Sequence, residues 1–150
     1  MKRISKHISY KEAVGSNYAK QKGIPNKPNE EQVENMKLLA EKVFEPLREW
    51  VGCPIRVNSM FRSLELNTAL KGSKTSSHMK GEAMDITSMA CGKENCKSNL
   101  DMFHWIKDNL EFDQLIWEFG KEPKWLHVSF SKNNRKQVLV TKKRGVYYTY

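Results

Sequence analysis

No apolar run in the 150 residues reaches the roughly 18 needed for a membrane-spanning helix. The opening stretch, MKRISKHISYKEAV, is positively charged but has neither the apolar core nor the small-residue cleavage site of a signal peptide. Synthesis in the cytoplasm without a signal peptide is therefore expected, with some other agent releasing the protein if it works outside the inner membrane. Cysteine is scarce and odd in number: Cys53, Cys91 and Cys96 argue against a full disulfide framework. Cys91 and Cys96, in CGKENC, suit a local disulfide or two arms of a metal site. No second pair stands at zinc-finger spacing and no histidine completes one, so free loop thiols come first and a local disulfide second. Acidic residues are outnumbered, 17 against 26 basic, giving a net charge of +9. A polyanionic partner follows, either nucleic acid or an anionic bacterial envelope. The most basic segment, SKNNRKQVLVTKKRG, lacks the stacking aromatics of single-strand binders, and Val138, Leu139 and Val140 interrupt it. It reads as a solvated strand edge guarded by lysines, so no nucleic-acid partner is expected.

With no repeat and no low-complexity tract, organisation is read from periodicity. A hydrophobic content of 39% supports one core of ordinary size, hence one domain over residues 1–150. Ser9 and Glu12 have capping-box form and start a short helix; Gly23 to Pro28 is a loop. Asn29 with Gln32 caps the main helix, whose Val33, Met36, Ala40, Val43, Phe44, Leu47 and Trp50 fall on one face, and Pro46 should kink its last turn. Ile55, Val57 and Ser59 alternate as a strand, Ser63 caps a short helix, Gly72 to Gly81 is a loop, and EAMDIT is the next strand. Ser98 and Asp101 open a helix with Phe103, Ile106 and Leu110 inward. Four β-prone runs follow: QLIWEF, WLHVSF, QVLVTK and GVYYTY. Strands in hairpin order after helices predict an α+β fold with an antiparallel sheet covered by helices.

The stretch SSHMKGEAMDI sets His78 on the loop and Asp85 on the strand, two of the three protein ligands that catalytic zinc commonly takes. Such a site leaves one position for water, whose pKa falls from about 15.7 to about 7. Gly81 permits a tight turn between them, and Ala83, on the side of Asp85, leaves room above the strand. A third ligand should come from a neighbouring strand, and His127 in WLHVSF is best placed. A lone strand histidine is more often a satisfied core residue, and His7 and His104 read that way. Trp125 and Ser129 share the His127 face by period two and are candidate cleft residues.

SSHMKGEAMDI closely resembles the S-x-H-x-x-G-x-A-x-D signature of the zinc D-Ala-D-Ala carboxypeptidase family, which includes phage endolysin peptidases. The resemblance extends to VNSMFRSLELN upstream and to FDQLIWEFG and WLHVSF downstream, from about Asn26 to Ser131. It is closest to the short phage and bacterial members. It implies a hedgehog/DD-peptidase-like fold and a zinc peptidase acting on peptidoglycan stem peptides, with one catalytic zinc on His78, Asp85 and His127. Arg62 matches the family arginine that holds the scissile carbonyl or a substrate carboxylate, and Ser76 matches the motif serine that touches substrate or braces the loop. Some relatives carry an acidic residue three positions before the last histidine; here that position is Lys124, which cannot accept a proton. Glu118 and Glu122 are the candidates for general base, and the domains this chain most resembles carry the glutamate at the first. If a four-residue turn pairs Gly120 with Trp125, Glu118 lies opposite His127 on one face; a five-residue turn reverses the parity. A monomer released to the periplasm by a holin and held at the anionic wall by its charge is the expected biology. A non-catalytic zinc-containing wall-binding module of a phage structural protein is the rival.

Overall fold

The computed structural model describes residues 2–89 and 95–150. Strands β1 (Arg3–Ser5) and β2 (Ile8–Ser9) form a small ribbon that leads into the short helices α1 (Tyr10–Val14) and α2 (Asn17–Lys22). A long helical stretch follows: α3 (Glu30–Leu39), a π-helical turn (Ala40–Phe44) and α4 (Glu45–Val51). Asn29 and Gln32 close a full capping box at its start. The π turn stands just before Pro46. Pro46 has no N–H and crowds the preceding turn, and the chain widens just before it, with the Glu45 amide donating to Ala40 five residues back.

Among the described residues the main sheet has six strands in the order β3 (Ile55–Ser59), β4 (Ala83–Ser88), β6 (Trp125–Ser129), β5 (Gln114–Glu118), β7 (Gln137–Lys143), β8 (Val146–Thr149). Helices α5 (Leu64–Ala69) and α6 (Asn99–Asn109) complete the fold, each starting at its predicted serine cap. Mixed α and β content with helices over a sheet agrees with expectation; an antiparallel sheet throughout does not. Strand β7 runs parallel to β5: β6 is already paired on both edges, and the chain leaving it crosses to the free edge of β5 and runs back opposite to β6. The seven-residue crossing, 130–136, is pinned by a bidentate ion pair from Arg135 Nε and Nη2 to the two carboxylate oxygens of Asp113, at 2.8 and 3.0 Å.

The helices cover one sheet face. Met36, Val43, Phe44 and Leu47 of the long helix and Phe103 and Ile106 of α6 bury against Met84, Ile86, Leu115, Leu126 and Val128. Strand alternation sends the intervening residues, among them Asp85, His127, Ile116 and Glu118, to the opposite face, where a groove runs. Cys91 lies outside the described residues. Cys96 has its Sγ 3.5 Å from that of Cys53, a neighbour that the spacing CGKENC gives no hint of.

Candidate metal centre and active-site groove

Asp85 lies near the middle of β4, paired with Ser59 on one side and His127 on the other, so register alone sets two donors side by side. His78 reaches the same point from a 3₁₀ turn, Ser77–Lys80. Ser76 caps that turn by accepting from the His78 amide, and Gly81 ends it in the left-handed conformation, φ 73°. A side chain at Gly81 would also strike the Gln32 carbonyl oxygen. Glycine is therefore required twice over at the joint that swings His78 toward Asp85.

His78 Nε2 lies 3.3 Å and His127 Nδ1 3.1 Å from the same oxygen of Asp85. The three donor atoms all lie within 4.8 Å of one another. The His78 Nδ1–H donates to the Met60 carbonyl at 2.7 Å, which fixes the tautomer and turns the lone pair of Nε2 toward Asp85. Two imidazole nitrogens and a carboxylate oxygen, converging and oriented from behind, are a donor set suited to zinc. Burial lowers the pKa of His78, partly offset by Asp85, and keeps its ring neutral as a ligand must be. Burial of Asp85 would raise its carboxyl, but the imidazoles of His78 and His127 beside it hold it well below the usual carboxylate range.

The second oxygen of Asp85 accepts from Arg62 Nη2 at 3.2 Å, and Arg62 Nε donates to Ser59 Oγ at 3.0 Å. Arg62 is thus tied to the cluster as well as facing the groove. Its backbone is held too: the Arg62 amide donates to the His78 carbonyl, and Asn26 bonds the residues on either side of it, Phe61 and Ser63.

A groove of about 770 Å³ surrounds these residues and is bordered by Glu118, Trp125 and Ser76. Glu118 pairs with Trp125, and His127 with Ile116, so the register differs by two residues from the expected one. The cause is a longer turn. Strand β5 ends at Glu118, Phe119 and Gly120 both take positive φ, and residues 119–124 form the loop. A shift of two preserves parity, and Glu118 keeps the face of His127, diagonal to it rather than opposite. Burial raises the pKa of Glu118 to about 7, with the negative charge of Asp85 adding to the rise. Glu122 is exposed in the turn and is not among the groove residues. Ser129, a candidate cleft residue by period two, is instead buried and accepts from the Gln114 amide. His7 binds Glu45 and His104 lies against Phe103 and Tyr150, both apart from the cluster.

Sequence reasoning missed the groove's other wall. Phe119, Thr141, Arg144 and Tyr147 all border it. The alternation in GVYYTY was the available signal for Tyr147, but without knowing which strand pairs with β7 it could not be assigned to this face.

The family model described as Peptidase M15 matches residues 6–129. That span holds every residue of the His78, Asp85, His127 cluster together with Arg62 and Glu118, and it ends before β7 and β8. A search among curated proteins found no match.

Proposed function

This chain belongs to the peptidase M15 family, whose members are zinc-dependent metallopeptidases, and on that basis we propose that it hydrolyses amide bonds of peptidoglycan stem peptides. It would do so as a D-Ala-D-Ala carboxypeptidase or as an endolysin-type endopeptidase, with a hedgehog/DD-peptidase-like fold forming one peptidase unit over residues 1–150. His78, Asp85 and His127 would hold the single zinc ion. Zinc at that position supplies the Lewis acidity that makes water a nucleophile near neutral pH. Glu118 takes the proton from the attacking water and returns it to the leaving amine. Arg62 steadies the charge that builds on the carbonyl oxygen, a role that favours the transition state over the ground state. Ser76 braces the His78 turn, and Trp125 borders the bound peptide. The anionic wall would be the partner, reached from the cytoplasm by holin-type release.

The observation that carries this reading is the presence, in one groove, of a convergent three-donor cluster and the half-buried carboxyl of Glu118. Glu118→Gln is expected to keep its zinc and lose turnover by about 10²-fold to 10⁴-fold, whereas His78→Ala should lose metal and activity together. Mass spectrometry of digested muropeptides checks the activity and identifies the bond from the fragment masses. A zinc-loaded wild-type protein that binds sacculi but cuts no muropeptide would be the wall-binding module instead.

A further inference from the structure

The residues beyond the family match are not an appendage. Strand β7 pairs in parallel with β5, so Thr141 stands beside Glu118, and the Phe119 amide donates to the Thr141 carbonyl at 2.8 Å. Strand β8 turns back along β7 with Leu139 facing Thr149 and Val140 facing Tyr148. The register shifts between Val140 and Lys143, and in that stretch Thr141 and Tyr147 both border the groove. Thr141 is only 1% exposed although it sits one strand from the sheet edge, whereas Tyr147, which also borders the groove, is 51% exposed. Tyr147 therefore borders the same groove as Glu118, two strands away. Burial and the nearby charges of Glu118 and Asp85 raise its phenol pKa.

Both ends of this strand are fastened. At the hairpin tip, Arg144 Nη2 donates to the carbonyls of Leu70 and Lys71 at 3.1 and 3.3 Å, bridging the groove to the loop after α5. At the other end, the Tyr150 amide donates to the Val138 carbonyl, and its ring meets Phe103 at 5.0 Å and Trp117 at 6.3 Å. On the facing side of Glu118, Phe119 adopts a left-handed φ of 63°, a conformation that costs a bulky residue energy, and its ring lies against Trp125 at 5.3 Å. Glu118 is thus flanked by an aromatic pair on one side and by a tethered tyrosine on the other.

We propose that the C-terminal hairpin is the specificity wall of the groove, in which Tyr147 positions an extended peptide beside Glu118 and Arg144 holds the wall closed. The tyrosine offers a flat apolar face to a substrate side chain and a hydroxyl to a substrate amide, a combination that orients a peptide at small entropic cost. The inference rests on the peptidase reading above. It makes Tyr147 a substrate-positioning residue and Arg144 a positioning residue acting through the wall.

The test uses the zinc-loaded full chain and a purified muropeptide carrying a pentapeptide stem. Tyr147→Ala should raise KM by about tenfold or more while kcat changes by less than about threefold, with zinc content and melting temperature unaltered. Tyr147→Phe, which keeps the ring and cannot disturb folding, should show a smaller rise in KM. Arg144→Ala should raise KM in the same direction, and Arg144→Lys should restore it in part. Calorimetry on the Glu118→Gln protein gives a readout independent of turnover: adding Tyr147→Ala there should weaken muropeptide binding by about tenfold. Unchanged KM and unchanged affinity in an active enzyme would overturn the wall and leave the peptidase reading intact. A fall in kcat alone would also overturn the positioning role. A zinc-loaded wild type that cuts no muropeptide would bring down the peptidase reading and this inference with it.

Discussion

A carboxyl group that loses water and gains a carboxylate neighbour holds its proton to higher pH, and Glu118 meets both conditions. In the unfolded chain it reverts toward 4.5. Between that value and about 7 the folded protein binds more protons than the unfolded one, so this residue makes stability fall as pH rises through that window. Above the window the penalty is complete. Glu118→Gln removes the charge and should give metal-free protein a higher melting temperature than metal-free wild type at about pH 8, with the gap closing at about pH 4. Thermal melts of chelator-treated proteins at the two pH values check this, and an equal gap at both would mean that the gain comes from packing. The groove position of Glu118 was legible in the sequence as one of two acidic candidates, Lys124 having removed a third. Its raised pKa was not legible, because that depends on Asp85, a residue 33 positions earlier in the chain and brought near only by the sheet.

At the scale of elements, local signals were read well and pairings were not. Caps at Ser9, Asn29, Ser63 and Ser98 each rest on a side chain and an amide three residues on, and each is present. The parallel alignment of β7 on β5 has no such local signature; it depends on β6 having filled the other edge. The turn after β5 shows the same limit. Residues 119–124 use positive φ at Phe119 as well as at Gly120, and a phenylalanine gives no warning of that conformation. Gly81 is the element whose purpose the sequence hinted at and the structure specifies. Gly81→Ala should cost more than about 1 kcal/mol and weaken zinc binding, because the left-handed turn and the contact with the Gln32 carbonyl both oppose a side chain. Gly23→Ala is the control, with a similar φ of 67° and nothing within 4 Å of the added carbon. Denaturant midpoints and zinc titrations of the two variants should separate strain, common to both, from collision and metal loss, confined to Gly81. Equal destabilisation with zinc binding intact would remove the proposed role of this turn in aiming His78.

For the whole molecule, the net charge of +9 acts over distances that single contacts do not. The basic segment near the C-terminus divides in two on the structure. Arg135 is spent on Asp113 and Arg144 on the groove loop, whereas Lys132, Lys142 and Lys143 are exposed. The second group is free to act as a field, and a field from exposed lysines is screened over about 8 Å at physiological ionic strength. If that field holds the enzyme at an anionic wall, reversing Lys132, Lys142 and Lys143 to Glu should slow hydrolysis of intact sacculi at low salt, and the difference from wild type should shrink as salt rises. Turnover of a small soluble stem peptide should stay within about twofold of wild type, since a small substrate reaches the groove by diffusion whatever the distant charge. Arg144 is left in place because replacing it would alter the groove and confuse the two effects. Equal loss on both substrates would mean that the lysines shape the hairpin, and no loss on either would make them a solvated edge that protects the sheet from pairing.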